Sequence, residues 1–305
     1  MSIDHPSFTS TPANSLRFSV VVPCYNEEGA IRQTIEELTS SLGDEDHYEI
    51  ILVDDGSTDQ STEIISELLS HDSSIRLVRH QKNKGYGAAL KSGIRRAMAS
   101  LVVITDADGT YPNEVIPELV ATLLEEDLDM VVGSRTGEDV SYPLIRKIPK
   151  MFLKRYASWL ARRDVPDLNS GLRVFKKDVA ERFIGILPNG FSFTTTITLA
   201  LLTNNFEVKY HPINYRERVG KSKIRPIRDT INFVQLMIRT GMYFAPIRVF
   251  SPIGVILGAL CLASMAYDIL FANNLSEKTL ILAMACINVV MFALLADMID
   301  KRNSR

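Results

Sequence analysis

Between Phe18 and Ile104 the chain alternates short β-branched apolar runs with stretches of helical spacing, and this alternation constrains the fold more than any other feature. Phe18 to Val22, Glu49 to Val53, Ile75 to Val78 and Leu101 to Ile104 read as strands. Ile31, Ile35 and Leu38 mark one helix between Ala30 and Leu42, and Ile64, Ile65, Leu68 and Leu69 mark a second, for which Ser57 or Thr58 is the expected cap. The run NKGYGAALKSGI opens a third. Strand and helix at this spacing predict a parallel sheet covered by helices, with ligand loops at the carboxyl ends of the strands.

The unusual polar residues gather at those ends. Pro23, Tyr25 and Glu27 follow the first strand, Asp54, Asp55 and Asp59 the second, and Asp106 and Asp108 the fourth, while Lys84, Gly85 and Gly87 precede the third helix. Each cluster alone reads as a helix cap or a solvated turn; their common edge makes a nucleotide crevice. In TDADGTYP (Thr105 to Pro112) the two carboxylates can share a hard divalent cation such as Mg²⁺ or Mn²⁺, whose remaining positions suit water and phosphate oxygens. Gly109 lets that loop turn, and Pro112 stops the strand.

A length of 305 residues suggests two domains, and a net charge of -2 argues against a general nucleic-acid binder. Cys24, Cys261 and Cys286 are too widely spaced for a disulfide framework or a zinc site. The polar start, with Pro6 and Pro12, reads as a disordered tail over residues 1–16 rather than a signal peptide.

The end of the chain is a different material. Val249 to Phe271 and Leu280 to Ile299 are each long and apolar enough to span a bilayer, with a short polar turn between them. Arg239 and Arg248 before the first span, and Lys301, Arg302 and Arg305 after the second, place both termini in the cytoplasm. Asp268 and Asp297 lie near enough to the span ends to reach an interface, and Asn288 is expected to face another helix. Pro226 to Pro246 reads as an amphipathic interfacial helix. Between Ser141 and Arg163 lie Arg146, Lys147, Lys150, Lys154, Arg155, Arg162 and Arg163 with no acidic residue. Pro149 is the expected start of a helix there, with Lys150 and Lys154 on one face and Phe152 and Trp159 as apolar contacts. Such a helix suits anionic headgroups, an arginine reaching a lipid phosphate.

PCYNEE, VDDGSTD, NKGYGAAL, DADGTYP, GSR at Gly133 to Arg135, DLNSGLRVF at Asp167 to Phe175 and RVGKSK at Arg218 to Lys223 occur in order over residues 17–225. Together they resemble glycosyltransferase family 2, in its polyprenyl-phosphate branch. The resemblance implies an α/β GT-A (Rossmann-like) domain over residues 17–225, an interfacial helix over 226–247 and a transmembrane hairpin with a basic end over 248–305. It also implies a nucleoside-diphosphate sugar donor, a divalent metal and an inverting transfer.

Carried onto this chain, the family's motifs imply Pro23, Tyr25, Glu27, Asp54, Asp55, Lys84, Asp106 and Arg135 around the nucleotide sugar, and Asp106 and Asp108 at the metal. Arg146, Ser170 and Arg173 fall to the acceptor phosphate, and Asp108, Asp167, Arg218 and Lys223 to catalysis. Lys221 and Gly220 belong to the same closing loop. Some members place a Gln two residues after the second Asp, where this chain has Thr110. Thr196 stands where other branches often carry an acidic residue, so that position gives no sugar preference. A phosphate monoester is largely dianionic near neutral pH, its second pKa being about 6, so Asp167 is expected to orient the acceptor or sugar rather than remove a proton.

The expected activity is transfer of a hexose from UDP-glucose to undecaprenyl or dolichyl phosphate at the cytoplasmic face of a membrane, by a homo-oligomer. GDP-mannose or an N-acetylated or amino sugar is the alternative donor. A processive polysaccharide synthase would carry a QxxRW-type motif and more spans, and a membrane-anchored nucleotide-sugar sensor would not need the intact aspartates or the basic RVGKSK loop.

Overall fold

The computed structural model describes residues 16–43, 47–136, 154–216, 235, 238–272 and 274–303. They form two compact units. One comprises residues 16–136, 166–201 and 206–216, and the other 154–165, 202–205 and 235–303.

The first unit is built on β1 (Phe18–Cys24), α1 (Ile31–Ser41), β2 (Tyr48–Asp54), α2 (Ser61–His71), β3 (Ile75–Arg79), α3 (Tyr86–Arg96) and β4 (Leu101–Ile104), then α4 (Ile116–Glu125) and β5 (Met130–Ser134). After the helical residues 154–161 (α5) of the other unit come β6 (Arg173–Lys176), α6 (Lys177–Phe183), α7 (Phe193–Thr203) and β7 (Val208–Pro212). The seven strands make one sheet in the order β3-β2-β1-β4-β6-β5-β7. β1, β2, β3 and β4 are mutually parallel as the alternation predicts. The sheet then departs from it, because β6 runs antiparallel to both β4 and β5.

Successive strand residues face opposite layers. Val20 and Val22 join Ile31, Ile35 and Leu38 of α1, Ile65 of α2 and Leu119 and Leu123 of α4 on one face. Val21, Ile51 and Val53 join Leu90 and Ile94 of α3 and Phe193, Ile197 and Leu201 of α7 on the other. With both faces covered, the strands are near-continuous apolar runs. The expected cap of α2 is corrected: the helix begins at Ser61, where Asp59 Oδ1 accepts the Ser61 N–H at 3.0 Å, while the Ser57 N–H turns back to Asp54 Oδ1 at 2.8 Å.

In the second unit, α5 lies against residues 238–244 (α8), where a Cβ on Gly241 would stand 2.7 Å from the Tyr156 hydroxyl, and the Arg248 side chain donates to the Leu160 carbonyl. Apolar helices follow: α9 (Pro246–Tyr267), prolonged by a π-helical turn over Asp268–Ala272, and α10 (Glu277–Asn303). The apolar stretches Pro246–Phe271 and Glu277–Ile299 are 26 and 23 residues long. Val255, Leu262, Met284 and Phe292 on them are all exposed, a surface fit for lipid and not for water.

Asp268 lies near the end of the first apolar stretch, where its carboxylate turns to the hairpin loop. Its Oδ2 accepts the Ser276 N–H (2.8 Å), the Ser276 hydroxyl (2.6 Å) and the Thr279 hydroxyl (2.7 Å), and so closes the hairpin turn. Asn288 is exposed on α10 and does not pack between α10 and α9.

Candidate active site

The site grows from the carboxyl ends of β1, β2 and β4. In the loop after β1, Asn26 has φ 54° and its N–H donates to Ser57 Oγ (3.1 Å), while the Glu27 N–H donates to Ser61 Oγ (2.9 Å) and the Glu28 N–H to Asp59 Oδ2 (3.2 Å). The PCYNEE and DDGSTD loops are therefore laced together, with Pro23 buried and Tyr25 and Glu27 half-buried.

The paired aspartates of DDGSTD hold the loops. Asp54 accepts from Ser57 and from the Thr62 hydroxyl (2.8 Å) and lies 3.6 Å from Arg79 Nε. Asp55 accepts from the Lys84 N–H (2.9 Å) and the Gly85 N–H (2.7 Å), and its Oδ1 also meets His80 Nδ1 at 2.6 Å, whose Nε2 meets Ser92 Oγ at 2.9 Å. Both carboxylates are buried; Asp55 fixes the NKGYG turn, on which the Lys84 side chain stands exposed, and Asp54 fixes its own loop to the start of α2.

Asp106 and Asp108 follow β4. Asp106 Oδ1 accepts the Tyr86 hydroxyl at 2.8 Å, and Asp108 Oδ1 accepts the Thr110 hydroxyl at 2.6 Å. Asp108 is buried, not on an open turn, and Thr110, fully buried, serves to orient it. Burial first, and the Asp106 charge after it, push the Tyr86 phenol well above its ordinary value, so it remains a donor to the carboxylate.

The antiparallel course of β6 decides what lies opposite this pair. Ile104 pairs with Arg173, so the residues just before β6 meet those just after β4. A Cβ on Gly171 would stand 2.7 and 2.8 Å from the Asp106 carboxylate oxygens, and the Gly171 N–H donates to the Tyr111 hydroxyl at 2.6 Å. The DLNSGLRVF segment is thus seated on the Asp106 carboxylate, and only a glycine leaves room for it.

Asp167 begins that loop and meets Arg135 from the end of β5. Arg135 donates through Nε (2.7 Å), Nη2 (2.9 Å) and its backbone N–H (3.1 Å), and the Asn169 N–H adds a fourth bond at 3.0 Å. Burial alone would raise the Asp167 pKa, but the hydrogen bonds and charge of Arg135 outweigh it and bring the carboxyl down to about 2. Such a group stays ionised and positions Arg135, whose guanidinium also lies 5.4 Å over the Tyr215 ring.

Ser170 and Arg173, expected at the acceptor phosphate, sit elsewhere. Arg173 is 0 % exposed; it donates through Nε to the Ser170 carbonyl (3.2 Å) and through Nη1 to the Thr194 carbonyl (3.1 Å) and Thr198 Oγ1 (2.8 Å). Its planar fork matches these oxygens and makes it a brace beneath the loop, out of reach of any phosphate in this conformation. Ser170 is equally buried. Arg146, Arg218, Lys221 and Lys223 lie outside the described residues, but Arg216, two residues before Arg218, donates its N–H to the Thr110 carbonyl at 3.0 Å.

Sequence reasoning missed His80, Tyr86, Tyr111 and Gly171. His80 follows β3 on the edge where the other clusters lie, and that signal could have found it. Tyr86 and Gly171 sit inside recognised motifs, yet their partners are set by packing between distant segments.

Two carboxylates two residues apart after β4, each oriented by a hydroxyl, offer the hard oxygen donors that suit a divalent cation taking its other ligands from a diphosphate and water. Among the described residues no third His, Cys, Asp or Glu joins them.

Fold and site together define a GT-A nucleotide-sugar transferase with an apolar hairpin at its end. Residues 19–184 match the model of Glycosyl transferase family 2, and residues 245–301 match the GtrB C-terminal hairpin. The chain belongs to glycosyl transferase family 2. It is 31% identical over 245 residues to the low-salt glycan biosynthesis hexosyltransferase Agl6 of Haloferax volcanii, matching 78% of this chain and 58% of that one. It is 24% identical to the dodecaprenyl-phosphate galacturonate synthase of Rhizobium johnstonii over 96% of this chain and 90% of that one. The glucosyl-3-phosphoglycerate synthase of Mycobacterium tuberculosis, solved with Mn²⁺, UDP-glucose and phosphoglyceric acid, shares the fold with a TM-score of 0.56 and 18% identity, over 73% of this chain and 79% of that one.

Proposed function

We propose that the protein transfers a hexose, with UDP-glucose as donor, to a polyprenyl phosphate at the cytoplasmic face of a membrane. The observation that supports this reading is the seating of the Asp167–Gly171 loop on Asp106; in this reading the loop serves the acceptor and Asp106 the donor diphosphate. The relative that spans nearly the whole chain is a dodecaprenyl-phosphate enzyme, and the hairpin supplies the lipid contact.

In this reading Tyr25 packs the base, and Glu27 accepts from the ribose hydroxyls. Asp54 and Asp55 act one step back, Asp55 by fixing the turn that carries Lys84 and Asp54 by fixing the DDGSTD loop. Asp106 and Asp108 would hold Mg²⁺ or Mn²⁺, which neutralises charge on the leaving diphosphate. Arg135, aimed by Asp167, and Arg218 and Lys223 on the RVGKSK loop add positive charge as the anomeric bond breaks. An oxygen of the acceptor phosphate forms the new bond to the anomeric carbon from the opposite side, and the nucleoside diphosphate departs. The phosphate is already ionised, so Asp167 removes no proton. Arg146 is assigned to the acceptor phosphate, while Ser170 and Arg173 brace the loop. The domain limits at residues 225 and 247, and both termini in the cytoplasm, belong to the same reading. So does a homo-oligomer, since the exposed amide of Asn288 on an apolar helix gains from a polar partner on a second copy.

The test is to incubate the purified full chain with Mg²⁺, undecaprenyl or dolichyl phosphate and a panel of nucleotide sugars, and to identify the glycolipid by mass. A hexosyl polyprenyl phosphate formed from UDP-glucose is the expected product; no glycolipid from any donor refutes the reading.

A further inference from the structure

Phe191 is 80 % exposed, the only aromatic among the strongly exposed large apolar side chains of the first unit's described residues. It is not a loose loop tip. Its ring stacks on Tyr86 with centroids 5.6 Å apart and planes 19° from parallel, and the Tyr86 hydroxyl reaches Asp106 Oδ1 at 2.8 Å. The segment before it is fastened to the start of α3: the Asn189 carbonyl accepts the Ala88 N–H (3.1 Å), and Asn189 Oδ1 accepts from Lys91 Nζ (2.8 Å). Close approach there depends on two glycines, since a Cβ on Gly85 would stand 2.5 Å from the Asn189 carbonyl oxygen and one on Gly87 2.2 Å from that of Pro188. On its other side, the Thr195 hydroxyl, four residues on, bonds Asn169 of the acceptor-side loop.

The exposed ring is thus tied through Tyr86 to Asp106, and its segment is tied through Thr195 to the Asp167–Gly171 loop. The geometry points to Phe191, backed by Tyr86, as the contact for the isoprene unit next to the acceptor phosphate. This rests on the reading of the acceptor as a polyprenyl phosphate. In such a molecule the first isoprene is esterified directly to the attacking phosphate, so an apolar group must enter the crevice wherever that phosphate meets the anomeric carbon. A fixed aromatic with no polar atom, one stacked ring and one hydrogen bond away from Asp106, gives it an apolar wall. A hexose stacking the C–H face of its ring there instead would show in the donor KM.

The test compares the full chain with Phe191→Ala and Phe191→Leu in detergent micelles, using undecaprenyl phosphate and the short farnesyl phosphate as acceptors. Truncating a side chain that covers one isoprene should raise the acceptor KM about tenfold for both lipids. Phe191→Leu should recover most of it, and the donor KM should be unchanged. A raised donor KM with an unaltered acceptor KM would assign the ring to the sugar and overturn the inference. So would a loss confined to undecaprenyl phosphate, which would mark a contact far from the phosphate, or no change in either constant. An unmutated protein that makes no lipid-linked sugar would refute the functional reading itself, whereas an active one indifferent to Phe191→Ala refutes only this inference.

Discussion

Replacing Gly171 by Ala is the sharpest perturbation that the structure offers. The new Cβ would lie 2.7 to 2.9 Å from the Asp106 carboxylate, where ordinary contact begins near 3.4 Å, so about 0.7 Å of movement is required. The methyl group is fixed to the backbone, and the carboxylate, which accepts the Tyr86 hydroxyl, is the end of a side chain, so the carboxylate yields. A misplacement approaching 1 Å at a catalytic centre lowers rates by up to about 10²-fold, and Gly171→Ala should lose about 10- to 100-fold in transfer rate. The fold should survive, because Gly171 has no positive φ and Gly→Ala at a tolerant backbone position is worth under about 1 kcal/mol in favour of folding. The assay is the initial transfer rate against Mg²⁺ or Mn²⁺ concentration, with thermal unfolding alongside. A higher metal requirement and a lower maximum rate at nearly constant Tm are expected. A folded Gly171→Ala protein with the original rate and metal dependence would show that the loop does not bear on the metal carboxylate.

Asp167, lowered from 3.8 to about 2 in the fold, stabilises the protein by about 2 kcal/mol above pH 4, and this is lost as the pH falls through 2. Asp167→Asn should therefore remove that much at neutral pH and flatten the acid limb of stability against pH; an unchanged limb in denaturant titrations would sink the assignment. Arg173→Met strips a buried guanidinium from the Ser170 and Thr194 carbonyls and should destabilise the first unit by about 3 kcal/mol, read as a lower unfolding midpoint; an unmoved midpoint would contradict its role as a brace. Lys223→Ala should keep donor affinity within a modest factor while turnover falls about 10²–10³-fold, because its charge is needed most as the diphosphate leaves. Equal single-turnover rates would exclude that role.

The parallel half of the sheet was legible because strand residues buried on both faces leave unbroken apolar runs, and Val20 to Val22 or Ile50 to Val53 can be nothing else in this context. The other half was not. β6 is four residues long and contains Arg173 and Lys176, so it shows neither an apolar run nor clean alternation, and its antiparallel direction depends on pairing with β4 and β5. The two spans were visible from length and composition alone. In the site, motif order located the crevice, but residue type could not tell a ligand from a brace. Asp55 and Arg173 look like binding groups in the sequence; burial and saturated hydrogen bonding turn both inward. Conversely Tyr86 and Gly171 carry little chemical signal on their own and acquire it only from what the fold sets beside them.

In the proposed function, Asp106 and Asp108 hold a donor diphosphate through a divalent cation for transfer to a lipid phosphate. Single-turnover transfer from UDP-glucose to undecaprenyl phosphate, with Mg²⁺ or with excess chelator, in the unmutated chain and in Asp108→Asn, tests it directly. Glycolipid should form only with metal, and Asp108→Asn should fall by about 10²-fold or more while remaining folded. Transfer by Asp108→Asn at the original rate, or transfer indifferent to chelator, would exclude a metal-held diphosphate at these aspartates.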